Sequence, residues 1–322
     1  MPPIIIDIAD PGSDQQPGIE AALACRPEGG QFVLFHNVYH HSIIDQSDSG
    51  DQVLEEMQQL LLQSRRGQLE KLAEQRFADA IDTHIVWAQR GWQELIRFAM
   101  GVSASMVVTQ TNHRNRWQRL TLSNDDWETI RHCPVPLLLA RADVTPRYQQ
   151  VIAAVDPLHL DDKPASLDRA IVANAAQISR VFDAKLKVIN VVTPSQMAPM
   201  GGPESTMVAV NVSDHVIAAH REATEHLADT EGAKNAEVLV TVGTPEEEII
   251  EQANAMPGSL VVMGGVSRSR LQRLLIGNTA ERVLDQLTGD VLVIKPQGFG
   301  EGLPAINALL TASLTSKGPL LI

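Results

Sequence analysis

The chain has 322 residues, 44% of them hydrophobic and 20% charged, with a formal net charge of −13. That length accommodates two domains of about 150 residues, each able to bury a core, and so acidic a field argues against nucleic acid and membrane surfaces as partners. Two cysteines, Cys25 and Cys133, without a CxxC pair, exclude a disulfide framework; the opening Met-Pro-Pro-Ile-Ile-Ile-Asp lacks a basic segment and a long apolar run, so the expected location is the cytoplasm.

Short apolar runs in the first half predict strands at 3–8, 32–38, 82–88, 104–109 and 136–141. A long helix is expected at about 51–79 and a shorter one at 92–100. Residues 9–30 are rich in Gly, Pro and Gln, so any first helix there should be brief or irregular. A linker at about 142–149 leads to a second half of the same plan: strand Val151–Val155, stopped by Asp156-Pro157, then a helix at 165–182 with its apolar positions on one face. Strand 186–192, a Pro- and Met-containing loop and a long polar helix at about 204–230 follow. Strand 237–242 is next, then a helix opening with Pro245 and three glutamates, which suit the positive end of a helix. Strand 259–263, helix 279–288 and strand 290–295 finish the unit. Alternating strands and helices with continuous apolar strands imply a parallel sheet covered on both faces. The domains expected are 1–142 and 150–296, followed by a tail, 297–322, in which Ala305–Leu314 has the pattern of a small amphipathic helix.

One segment recurs. Arg114, Arg116, Gln118, Arg119 and Leu120 repeat as Arg268, Arg270, Gln272, Arg273 and Leu274, and the same offset of 154 maps Val107-Val108 onto Val261-Val262 and Asn124 onto Asn278. A period of half the chain is a duplicated domain, not a solenoid unit. The two sets of arginines, Arg114, Arg116, Arg119 and Arg268, Arg270, Arg273, are candidates for holding a phosphate or another anion, because a guanidinium forks onto phosphate oxygens. The plainer reading is a solvated basic loop copied by duplication.

Ligands of open parallel sheets bind beyond the strand C-termini, where the strand order reverses. In the second half that region gathers Asp156, Met263-Gly264-Gly265-Val266-Ser267 and Gly277-Asn278-Thr279. Glycines admit close backbone approach, a helix start offers N–H groups to phosphate, and Asn278 or Thr279 is placed to cap the helix. His40-His41 and the helical His215, His220 and His226 lack ligand spacing and read as surface residues, and Cys133 reads as buried.

The run Val261–Ser267, the nine residues after it, Gly277-Asn278-Thr279-Ala280-Glu281 and Asp290–Pro296 resemble the universal stress protein family. The likeness is to the tandem, two-domain E-type of Gram-negative bacteria, and Asp126-Trp127, Arg131 and Cys133-Pro134-Val135-Pro136 agree with it. The resemblance covers about 3–296. It implies two tandem doubly wound parallel five-stranded sheets of the adenine-nucleotide alpha-hydrolase-like kind, packed as a pseudo-dimer that leaves room for a homodimer. It also implies a non-enzymatic role in stress resistance. Nucleotide-binding members carry Gly-x-x-Gly, nine residues, then Gly-Ser/Thr, which places an ATP or other adenine-nucleotide site on Asp156, Met263, Gly264, Ser267, Gly277, Asn278 and Thr279. Two positions depart: Ser267 replaces the second glycine and Asn278 the Ser/Thr. The first half has Gln110, His113, Ser123 and Asn124 at the matching positions, no motif glycine, and Asp7 as the counterpart expected for Asp156. Two other readings are an ATP-dependent transferase or ATPase of the same superfamily, and a carrier of an apolar or phosphorylated metabolite. No Walker loop or catalytic carboxylate cluster supports the former.

Overall fold

Ile4, Ile5 and Ile6 are each at most 1% exposed, and a β-branched run buried on both sides is what the middle of a parallel sheet requires. They form β1 (Ile4–Asp7) of a unit that continues with α1 (Pro17–Cys25), β2 (Phe32–Asn37), α2 (Asp51–Arg76), β3 (Asp82–Val86), α3 (Gly91–Gly101), β4 (Met106–Thr111), α4 (Asn124–His132) and β5 (Leu137–Arg141). The second unit comprises β6 (Gln150–Val155), α5 (Ala165–Phe182), β7 (Lys185–Val192), α6 (Thr206–Thr230), β8 (Glu237–Val242), α7 (Pro245–Asn254), β9 (Ser259–Gly264), α8 (Asn278–Gln286) and β10 (Asp290–Ile294). This computed structural model describes residues 2–26, 30–39, 51–111, 122–141, 147–158, 165–193, 206–266, 277–287 and 289–299, with the backbone alone at 51–54, 165, 206–213 and 278.

The chain divides into two compact units, the first built on 2–111 and 122–141 and the second on 147–299. The strand order is β3-β2-β1-β4-β5 in the first and β8-β7-β6-β9-β10 in the second. The ladders within each unit are parallel. In each unit the opening strand lies in the middle, so Ile4 faces Phe32 on one side and Met106 on the other. Val151 faces Leu186 and Leu260 in the same way. The order reverses at these strands, which makes each unit doubly wound, as the alternation of elements implies.

Local chemistry accounts for the helix starts. Pro17 opens α1, whose Ile19 and Ala22 are fully buried, and the Gln16 side chain ties the loop before it by donating to the carbonyls of Asp10 and Ser13. The Gly- and Gln-rich segment is therefore brief but regular over nine residues. Helix α4, which no periodicity in the first half announces, starts at a capping box: Ser123 Oγ accepts from the Asp126 N–H and Asp126 accepts from the Ser123 N–H. Pro245 and three glutamates open α7 as expected, and buried Glu246 reaches Arg282 of α8. The proposed tail helix at 305–314 lies outside the described residues, as do 142–146 of the linker, the loop around Met197 and Met200, and His40-His41.

One histidine departs from the surface reading. His215 and His226 are exposed, but His220 is 4% exposed and accepts from fully buried Asn190 of β7, which also donates to Thr224. The reason is the facing strand: Asn190 supplies a polar partner inside the sheet–helix layer, so the helix turns His220 inward. Cys133 is buried, as expected. A second buried polar pair fixes the start of β10, where the Tyr148 hydroxyl donates to Asp290 Oδ2 at 2.6 Å and its ring packs on Phe182. Removing one partner of a buried hydrogen bond costs about 1–3 kcal/mol. Tyr148→Phe is therefore expected to lower unfolding stability by that amount in a urea titration, with an unchanged m-value.

Candidate functional site

β6 pairs with β7 on one side and β9 on the other, and beyond their C-terminal ends a cleft of about 270 Å³ opens at this point of reversal. Ala154, Val155 and Asp156 from the end of β6 and Met263 and Gly264 from the end of β9 form its floor. Leu167 and Ile171 of α5, Ile189 and Val191 of β7, and Pro245 and Ile249 of α7 supply apolar walls, and Val266, Gly277, Thr279 and Ala280 complete the rim. Five of the residues singled out in the sequence thus meet in one place: Asp156, Met263, Gly264, Gly277 and Thr279.

Asp156 is half-buried, and its N–H donates to Asp168 Oδ1 of α5 at 3.3 Å, which fixes the turn after β6. The cap of α8 differs from the expectation. Its N-cap is Gly277, in an extended conformation (φ −65°, ψ 145°), and Asn278 and Thr279 take the first two helical positions. Glycine has no side chain to spend on the first turn, so no side-chain cap forms and the helix start is left to other partners. Gly264, which ends β9, and Gly265 after it answer first to the protein's own packing. A Cβ on Gly264 would lie 2.9 Å from Leu167 Cδ2, and one on Gly265 would lie 2.4 Å from Val293 Cγ1. Helix α5 and strand β10 close in on this loop because both positions lack a side chain.

The first unit has a different chemistry at the same place. Strand registers correct the equivalence of Asp7 with Asp156. Asp7 pairs with Thr109, which pairs with Leu139, and the offset of 154 carries those two onto the pair Met263 and Val293. Ala153 faces Val262, so the residue beside Met263 is Ala154. Asp7 therefore stands at the position of Ala154, inside the strand, and the same register carries Asp156 onto exposed Ala9, one residue before Asp10-Pro11. The apolar floor made by Ala154 and Met263 in the second unit is replaced by Asp7 and Thr109, whose hydroxyl donates to Asp7 Oδ2 at 3.4 Å.

Removal from water, reinforced by the Asp126 and Asp125 carboxylates, pushes Asp7 up to about 7, against the opposing hydrogen bond from Thr109. Burial also raises Asp125 and Asp126 above the usual carboxylate range. The start of α4 is already satisfied by the Ser123–Asp126 box. An anion arriving here would meet three carboxylates and an occupied helix end, whereas the described residues lining the second unit's cleft carry one carboxylate, Asp156, and α8 has no side-chain cap. Ser267, Arg268, Arg270 and Arg273, and their counterparts Arg114, Arg116 and Arg119, lie outside the described residues.

The apolar walls were not among the residues read from the sequence. Leu167, Ile171, Ile189 and Ile249 look like any core residue, and only the convergence of α5, β7 and α7 turns them toward a common space. Among the described residues no group of three or more His, Cys, Asp or Glu side chains could hold a metal, and no helix is long and apolar enough to cross a membrane.

Two doubly wound parallel units, each with its reversal point beyond the central strands, define a tandem doubly wound α/β protein. The family model of the universal stress protein family matches residues 8–141 and again 147–295, and the chain belongs to that family. Similar relatives include universal stress protein E of Salmonella typhi, 25% identical over 91% of this chain and 94% of the relative. The universal stress protein E of Escherichia coli K12 is 24% identical over 91% and 93%. Among solved structures, a functionally unknown protein of Pseudomonas aeruginosa PAO1 shares the fold with a TM-score of 0.66 at 21% identity, covering 97% of this chain and 96% of the other. A universal stress protein of Archaeoglobus fulgidus does so with a TM-score of 0.57 at 14% identity over 91% and 98%.

Proposed function

We propose that this tandem universal stress protein acts in the stress response, in the cytoplasm, as a binding module rather than an enzyme, and that it takes an adenine nucleotide in the cleft of its second unit. The observation that carries the reading is the joining of an apolar slot, bounded by Ile189, Val191 and Met263, to a helix start without a side-chain cap at Gly277. A flat base is buried by the first and a phosphate is stabilised by the second. Asp156 at the mouth is placed to accept from ribose hydroxyls. Arg268, Arg270 and Arg273, a few residues beyond cleft-lining Val266, are proposed to add charge-assisted bonds to the phosphates. No nucleophile paired with a general base lines the cleft among the described residues, which supports binding over turnover.

Calorimetric titration of the full chain with ATP tests this. Ala154→Phe fills the floor of the cleft and is expected to abolish detectable binding, whereas Ser123→Ala, in the first unit, is expected to leave the affinity within about twofold. Binding that survives Ala154→Phe, or is lost with Ser123→Ala, places the nucleotide elsewhere.

A further inference from the structure

Lys295, the residue after β10, is 7% exposed, and its ammonium donates to the carbonyl of Gly265 while lying 4.8 Å from the ring centroid of Phe299. Gly265 is held a second time, because its N–H donates to the carbonyl of Ile294 at 3.0 Å. The loop residue between the cleft-lining Gly264 and Val266 is thus clamped from the β10 side through both of its backbone polar groups. This arrangement has a directional consequence. The peptide bonds are trans among the described residues, so the C=O of Gly265 and the N–H of Val266 point in opposite directions across one planar unit. Strand β9 lies between β10 and β6. A carbonyl drawn toward Lys295 at the end of β10 turns the following N–H away from β10, toward β6, where the cleft opens. Among the described residues that Val266 N–H forms no hydrogen bond.

The geometry points to Lys295 as the positioning residue that makes this rim of the cleft receptive to an anion: by capturing the Gly265 carbonyl it presents the Val266 N–H, instead of a carbonyl oxygen, to a phosphate group of the bound ligand. This deepens the nucleotide reading and rests on it. It assigns the specificity for a phosphorylated over an unphosphorylated nucleoside to a residue that does not itself line the cleft. A backbone N–H fixed in place stabilises negative charge, whereas a carbonyl in the same position repels it. Gly265 suits the role because any side chain there would collide with Val293 and press on the Lys295 ammonium, 3.1 Å from the Cβ position.

The test compares ATP with adenosine on the full chain. Lys295→Met is expected to lower ATP affinity by about tenfold or more and to leave adenosine affinity within twofold, and Lys295→Arg, which keeps a donor for the carbonyl, is expected to recover most of the ATP affinity. A purely structural lysine would lower both ligands together, and that result, or an ATP affinity unchanged in Lys295→Met, overturns the assignment. Val266→Pro deletes the N–H itself and must reproduce the selective loss, which keeps the test decisive if Lys295→Met fails to fold. Wild-type protein that binds neither ATP nor adenosine refutes the nucleotide reading. The assignment is then judged by titration with pyrophosphate, which must shift the Val266 amide resonance in wild type and leave it still in Lys295→Met. A Val266 amide indifferent to pyrophosphate in wild type sinks it.

Discussion

Asp7→Asn is expected to stabilise the protein at pH 8 by about 2–4 kcal/mol and to leave it unchanged near pH 4. Asp7 has its ordinary value of 3.8 in the unfolded chain and is pushed up to about 7 in the fold. Between those two values the folded state holds a proton that the unfolded state has released, so stability falls as pH rises. The contribution is fully present below about 4 and is lost as pH climbs through about 7, where the carboxylate ionises beside Asp126 and Asp125. Each unit of difference is worth about 1.4 kcal/mol, and the half-buried position of Asp7 places the result below the full product. Asparagine retains the acceptor for the Thr109 hydroxyl and cannot ionise. Asp125 and Asp126 titrate in the same sense and remain in both proteins, so the difference between the two pH–stability curves reports Asp7 together with its repulsion from them. Parallel curves from pH 4 to 8 would show that Asp7 is not held protonated by the fold. The same group bears on the proposed function, because a carboxylate at the end of β1, with Asp125 and Asp126 near it, would repel the anion that the second unit is proposed to take.

Gly265→Ala is expected to cost about 3 kcal/mol of stability and to weaken ATP binding with it. The new methyl would sit 2.4 Å from Val293 Cγ1. Val293 is 2% exposed, one residue from the end of β10, and has a stiff β-branched side chain, so it cannot yield without disturbing the strand. The alternative, displacement of the loop, breaks the bonds from Gly265 N–H to Ile294 and from Lys295 to Gly265. Making room on the other side identifies the collision. Val293→Ala alone should cost about 2 kcal/mol through lost burial, and the double variant should be no less stable than that single one, in place of the roughly 5 kcal/mol of an additive pair. An additive result in urea unfolding would mean that the methyl clashes with something other than Val293.

The amino-acid pattern alone determined the duplication, the alternating α/β order and the family. These are carried by signals local to a few residues: an apolar run such as Val151–Val155 closed by Asp156-Pro157, the one-sided spacing of helix 165–182, the glycines before Ser267, and a recurrence at 154 residues. Helix α5 spans Ala165–Phe182 and β8 spans Glu237–Val242 as their periodicity requires, because burial of one face selects that periodicity. Tertiary structure decided what no local signal encodes. Register is one such quantity: a strand reads the same under a shift along its neighbour, so only the ladder from Asp7 to Thr109 shows that this aspartate replaces Ala154 and that Ala9 takes the place of Asp156. Inward rotation of His220 depended on Asn190, thirty residues earlier in the chain and adjacent only across the sheet–helix layer. The cleft is built by residues from β6, α5, β7, α7, β9 and α8, and its apolar walls acquire meaning only where those elements converge. Lys295 is the sharpest instance. In the sequence it is a lysine closing a strand, and its hold on Gly265 exists because β9 and β10 end side by side.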